Sequence, residues 1–131
     1  MLLTVEQFKK NEQSIIKLLK SDLPIVLSYR LSKFNEALVL ELNKVEELRK
    51  QLVIRFGDKQ EDGTIKVKED FKEDFIKEYN ELMLMEINID FDPLKVSDLV
   101  NYNKKLELMG NMPIAISTLD LVNLVSLGIL I

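Results

Sequence analysis

Residues 58–69 read DKQEDGTIKVKE, and they nearly fit the twelve-residue loop by which EF-hands hold calcium. Asp58, Asp62 and Glu69 fall at positions 1, 5 and 12, Gly63 at position 6 and apolar Ile65 at position 8. The chemistry would be ligation of a hard cation by carboxylate and carbonyl oxygens. Two residues weaken the match. Gln60, at position 3, is longer than the usual Asp or Asn, and Lys66, at position 9, brings a cation where an anion or a water normally sits. The same stretch also reads as a turn. Asp62-Gly63 suits a tight reversal, because glycine accepts φ > 0 without a Cβ clash, and Thr64-Ile65-Lys66-Val67 alternates like one arm of a hairpin. The turn is the preferred reading, with Asp58, Asp62 and Glu69 as the metal-ligand candidates of the alternative.

Two other groups of charged residues have the types needed for chemistry. Glu69, Asp70, Glu73 and Asp74 cluster where a helix begins, and paired carboxylates can serve as acid and base. Negative charge at a helix N-terminus is also what the backbone dipole favours, and Lys72 and Lys77 are interleaved, so a solvated helix start is preferred. Arg30, Lys33, Lys44, Arg49, Lys50 and Arg55 could line a basic edge. Glu36, Glu41, Glu46 and Glu47 alternate with them, which favours a salt-bridged outer face. The chain has no Cys and no His, which removes thiolate chemistry, the usual general base and the commonest transition-metal ligand. The four glycines stand apart, and no phosphate-binding or dinucleotide-binding loop is formed. The expectation is a protein that is not an enzyme and uses no cofactor.

Thr4-Val5-Glu6-Gln7 is a capping box that opens a first helix reaching about Lys20. Pro24 ends that segment and suits the first turn of the next. From Ile25 to Phe56 there is neither Gly nor Pro. Leu27, Leu31, Phe34, Leu38, Leu42, Val45, Leu48, Leu52 and Phe56 step by threes and fours, predicting one helix of ~48 Å, with Gly57 stopping it at φ > 0. Asp70, with Glu73 at capping-box spacing, opens a third helix carrying Phe71, Phe75, Tyr79, Leu82 and Met83 and ending near Met85. Residues 86–92 switch period: Ile87, Ile89 and Phe91 alternate with polar residues, as in a half-buried strand. Leu94-Lys95-Val96 and Pro113-Ile114-Ala115-Ile116 read as further short strands, 101–112 as polar and irregular. Ser117 with Asp120 starts a last helix, and Gly128 stops it.

The fold expected is mainly α: an elongated three-helix antiparallel hairpin with a small β-hairpin tip and a small mixed α/β C-terminal section. Length gives a single domain over 1–131, with a helical body over about 4–85 and the mixed section over about 86–131. The net charge of −4, without a basic block, makes nucleic acid a poor partner. Polar Glu6 and Gln7 interrupt the start too early for a signal peptide. The apolar ending PIAISTLDLVNLVSLGILI is too short for a membrane span, so a cytoplasmic protein without membrane contact is expected. The long helix also carries Ile25, Val26, Ala37, Val39, Leu40, Val53 and Ile54 outside its main stripe. Either the rest of the chain covers them or a second copy does. A homo-oligomer, most simply a dimer with Val39 and Leu40 at the contact, is the expectation.

Leu23-Pro24, then Ser28-Tyr29-Arg30-Leu31, Glu46-Glu47-Leu48-Arg49-Lys50-Gln51-Leu52, Arg55-Phe56-Gly57, the 62–67 turn, Phe75 with Glu78-Tyr79 and Leu82, and Glu86-Ile87-Asn88-Ile89 make an ordered pattern. This resembles a family of small uncharacterised proteins from tailed bacteriophages and prophages of Gram-positive bacteria, over roughly residues 23–91. The resemblance implies a phage product working inside a bacterial host cell, and it assigns no functional residue. The ILI ending is more apolar than such a resemblance leads one to expect. The functional expectation is a phage accessory protein that binds a host component, with inhibition of a bacterial defence system as the expected role. The alternative is a virion-assembly factor, a structural or chaperone protein of head or tail.

Overall fold

The computed structural model describes all residues 1–131. It is mainly helical, with two small two-stranded antiparallel sheets. In chain order the elements are β1 (Leu2–Thr4), α1 (Val5–Lys10), α2 (Glu12–Leu19), α3 (Ile25–Phe56), β2 (Gly57–Lys59), β3 (Ile65–Val67), α4 (Lys72–Met83), β4 (Glu86–Asn88), α5 (Val96–Leu108) and α6 (Thr118–Ser126).

The Thr4 capping box forms as its residue types require: the Gln7 N–H donates to Thr4 Oγ1 over 3.1 Å and the Thr4 N–H to Gln7 Oε1 over 3.0 Å. The first helical segment is not continuous to Lys20. It breaks at Asn11, which sits at φ −112° and ψ 14°, with its side-chain amide donating to the Gln7 carbonyl over 2.8 Å. An asparagine side chain competes with the helical backbone in this way, and the break lets α1 and α2 take separate directions. Helix α1 packs against β1 and α4, whereas α2 packs against α3 and α6.

Helix α3 runs unbroken over the residues its periodicity predicts. Leu31, Phe34, Leu38, Val45 and Leu52 of the stripe are buried, Leu27, Leu42 and Phe56 are partly covered, and Leu48 is exposed. Gly57 ends α3 for a different reason from the one its type suggests. Its φ is −105°, in extended backbone and not the left-handed region, and it is the first residue of β2. What requires glycine is space: a Cβ there would collide with the Val53 carbonyl oxygen and with Cγ2 of Ile65. Strands β2 and β3 pair antiparallel, Gly57 opposite Val67 and Lys59 opposite Ile65, and Gly63 takes φ +86° in the turn between them.

Helix α4 then packs against α3, with Phe75 edge-on to Phe56 and stacked on Tyr79. Asp70 does not cap it. A 3-10 turn over Glu69–Phe71 precedes α4, whose N-cap is Phe71, without a side-chain cap.

The switch to strand period at residue 86 is real but shorter than 86–92. Strand β4 pairs with β1, Leu3 opposite Ile87, and both side chains enter the core. Phe91 lies beyond the strand and packs its ring 4.8 Å from that of Phe34. The expected strand at 94–96 reduces to one parallel bridge between Leu94 and Leu130. In it Leu94 N–H donates to the Ile129 carbonyl over 3.0 Å and Ile131 N–H to the Leu94 carbonyl over 2.8 Å. Val96 instead opens α5, which occupies residues read as irregular, and 113–116 form no strand. Val96, Leu99, Tyr102 and Leu106 carry the helical spacing of α5, and only Leu99 is deeply buried. Ser117 and Asp120 cap α6 as expected, and Gly128 leaves it at φ +79°. One hydrophobic cluster of 20 buried residues runs from Leu3 to Leu130, so the two ends of the chain share a core with α3.

Candidate functional site

In the 58–69 stretch the three candidate ligands are engaged separately. Asp58 lies in β2, 3.6 Å from Lys68 Nζ. The Asp62 carboxylate accepts from Thr64 Oγ1 over 2.7 Å and from the Thr64 N–H over 3.0 Å, an Asx-type turn that holds its pKa below the ordinary value. Glu69 sits in the 3-10 turn, 3.5 Å from Lys72 Nζ. No three acidic side chains of the chain gather closely enough to hold one ion between them.

The mixed charges of α3 pair along and off the helix. Arg49 makes a two-pronged contact with Glu46, Nη2 to Oε1 over 2.7 Å and Nε to Oε2 over 2.9 Å. This bond holds Glu46 below the ordinary carboxylate range and raises Arg49. Lys44 lies 3.3 Å from Glu41, and Arg55 reaches across to Glu78 of α4 over 3.1 Å. Arg30 serves the backbone: its Nη2 donates to the Asp92 carbonyl over 2.7 Å and its guanidinium lies over the Phe91 ring. Lys33 rests 5.0 Å above the ring of Tyr29, and neither it nor Lys50 has an acidic partner in this chain.

Sequence reasoning missed a buried polar cluster between α2 and α6. Asp120 accepts from Ser14 Oγ over 2.8 Å, Ser117 Oγ over 2.9 Å, the Ser117 N–H over 3.0 Å and Lys17 Nζ over 3.2 Å. Asn123 donates to Ser14 Oγ over 3.2 Å. Serine, lysine and aspartate in one cluster resemble the parts of a hydrolytic site. Here Ser14 is buried, its hydroxyl proton is committed to Asp120, and its oxygen is capped by Asn123, so the group clamps two helices and offers no free nucleophile. The signal available in the sequence was Asp120 alone, as a capping residue.

Two helices, α3 and α6, each present several exposed apolar residues. The outer side of α3 exposes Ile25, Val26, Tyr29, Val39, Leu40 and Ile54; Val39 is 46% exposed and Leu40 64%. On α6, Leu119, Val122 and Val125 are exposed, and Val122 and Val125 join Val96 and Leu121 around a shallow groove of about 420 Å³. A separate cleft of about 480 Å³, bordered by Lys20, Asp22, Tyr102, Leu106 and Ile114, lies where α5 meets the 110–116 loop. No helix is long and apolar enough to cross a membrane. No protein-family model, curated protein or solved structure matches the chain.

Proposed function

We propose that this chain is a non-enzymatic phage accessory protein of the bacterial host's cytoplasm that binds a host component, with inhibition of a defence system as the outcome of binding. The observation that carries the binding role is the exposed apolar face of α6, where Leu119 is 68% exposed, Val122 58% and Val125 47%. A face of this kind gains free energy when a partner covers it, roughly 25 cal/mol for each Å² of apolar surface removed from water. The phage context rests on the sequence resemblance alone. In this reading the chain is one domain, an elongated three-helix antiparallel hairpin whose C-terminal section presents α6 to the host protein, while the outer side of α3 serves self-association into a homo-oligomer.

The test is a plaque assay on strains carrying individual defence systems, with the chain supplied or withheld. Expression should restore plaques on at least one strain, and Val122→Asp should abolish the rescue while the protein stays folded. Failure across a broad panel removes the anti-defence role. A second reading, a virion-assembly factor of head or tail, is favoured by the exposed apolar residues along α3, since assembly proteins self-associate. Gene deletion separates the two. Loss of particles in a host without defences supports assembly, and normal particles support the accessory role.

A further inference from the structure

The outer side of α3 has an order of its own. Ile25, Tyr29, Ser32, Glu36, Val39, Leu40, Asn43, Glu47, Lys50 and Ile54 recur at spacings of three and four with one step at Val39-Leu40, and all are exposed. They lie opposite the buried stripe, so they form a second seam along the whole helix. About a midpoint between Val39 and Leu40 the seam places apolar residues at matching positions at its two ends and its centre. Ile25 and Ile54 lie equally far from that midpoint, and they are 83% and 67% exposed. Tyr29 and Lys50 are equidistant as well. Lys33 matches Glu47, and Glu36 matches Lys44, each to within one residue.

We propose that the occupant of this seam is a second copy of the chain, in an antiparallel α3–α3 contact whose two-fold axis passes between Val39 and Leu40. This rests on the self-association part of the reading above and adds its geometry. Turning one copy about that axis sets Ile25 against Ile54 at both ends, Tyr29 beside the Lys50 of the other copy, Lys33 beside Glu47, and Val39 and Leu40 against their own counterparts. Lys33 and Lys50, which lack acidic partners within the chain, thereby gain a carboxylate and an aromatic face. A parallel contact would place Lys33, Glu36, Glu47 and Lys50 each against its own copy, and flanking charges of this kind set helix orientation. The seam from Ile25 to Ile54 is ~43 Å long at 1.5 Å per residue. With a helix diameter of about 10 Å, the contact covers on the order of 1,000 Å² over both copies, at the lower bound for a specific interface and suited to a dimer that dissociates on dilution.

The absence of native cysteine makes the test direct. Light scattering across micromolar concentrations should give a dimer mass that falls toward the monomer on dilution. Under mild oxidation, an equimolar mixture of Ile25→Cys and Ile54→Cys chains should form a disulfide-linked dimer, Leu40→Cys should link to itself, and Ile25→Cys alone should not. Lys33→Glu should raise the dimer Kd about tenfold, and adding Glu47→Lys to it should restore most of the loss, with helicity unchanged in each variant. A monomer at every concentration overturns the proposal and leaves host binding through α6 standing. Self-linking of Ile25→Cys in a dimer overturns the antiparallel geometry alone, and a plaque assay that fails with the dimer intact removes only the host-binding role.

Discussion

The hydroxyl of Ser14 donates to the carboxylate of Asp120 over 2.8 Å, tying α2 to the first turn of α6 across 106 positions of sequence. Asp120 is buried, yet it accepts three further hydrogen bonds, and no buried side-chain polar atom in the protein is left without a partner. Removing the carboxylate strips the hydroxyl of Ser14 of its acceptor and takes away the Asp120 half of the α6 capping box, while Ser117 Oγ still accepts from the residue-120 N–H. Asp120→Ala should therefore cost about 3 kcal/mol, and Ser14→Ala about half of that. Urea unfolding should show both as lower midpoints at an unchanged slope.

The same carboxylate makes stability depend on pH in a definite direction. Asp120 is held below its ordinary value of 3.8, first by the Ser117 N–H and then by the Ser14 hydroxyl. Because the folded value lies below the unfolded one, the unfolded chain takes up the proton first as pH falls. The contribution is fully present above the unfolded value, from about pH 5 upward, and is lost as pH drops toward the folded value. The wild type should lose stability through the range below pH 5, and Asp120→Asn should flatten that limb while lowering the plateau above it. A denaturation series from pH 7 to pH 3 reads both.

Two glycines at the β2–β3 hairpin should respond differently to alanine. Gly63 has left-handed backbone but open space around it, so Gly63→Ala should cost about 1 kcal/mol from backbone strain alone. Gly57 has an ordinary φ, but a Cβ meets the Val53 carbonyl oxygen, which cannot move without distorting the last turn of α3. Gly57→Ala should cost more than Gly63→Ala and should raise exchange of the Lys68 amide, which donates to the Phe56 carbonyl across that junction. Equal costs would show that α3 frays at no expense.

Helix α3, the hairpin turn and the start of α6 were legible because each rests on local signals: an uninterrupted stripe, Asp62-Gly63, and Ser117 three residues before Asp120. What stayed hidden depends on partners remote in sequence. Leu2–Thr4 is too short to announce itself, and it becomes a strand only because Glu86–Asn88 lies beside it. Helix α5 is polar on most of its surface, and reading Val96 as strand split the stripe that Leu99, Tyr102 and Leu106 complete. The Asn11 break needed knowledge that α1 and α2 face different neighbours. At the surface, the apolar excess of α3 was visible in the sequence. The clamp at Asp120 was not, since Ser14 and Lys17 are ordinary helix residues until α6 is placed against them.

Calcium should leave the protein unchanged. Asp58, Asp62 and Glu69 already have separate partners in Lys68, Thr64 and Lys72, and binding one ion would require the β2–β3 pairing to open. Ligand binding to the folded state alone raises the melting temperature by mass action. Millimolar calcium should give no shift in Tm, and Asp58→Ala should behave identically with and without it. A shift that Asp58→Ala abolishes would establish the loop as a metal site.

The ILI ending divides into residues that hold the fold and one that does not. Ile129 and Leu130 are 0% and 1% exposed, and their backbone continues the core by bridging to Leu94, whereas Ile131 is 72% exposed. The apolar character of Ile129 and Leu130 therefore belongs to the core shared by the two ends of the chain. Ile129→Ala should cost about 3 kcal/mol, the range for a buried branched side chain that leaves a cavity, and it should raise exchange at the amides of Leu94 and Val96, which donate into the bridge. Leu108→Ala, at a leucine 89% exposed, should change stability by no more than about 0.5 kcal/mol. Thermal unfolding of the two variants against the wild type decides it: similar losses at Ile129 and Leu108 would mean that the C-terminal bridge does not form in solution.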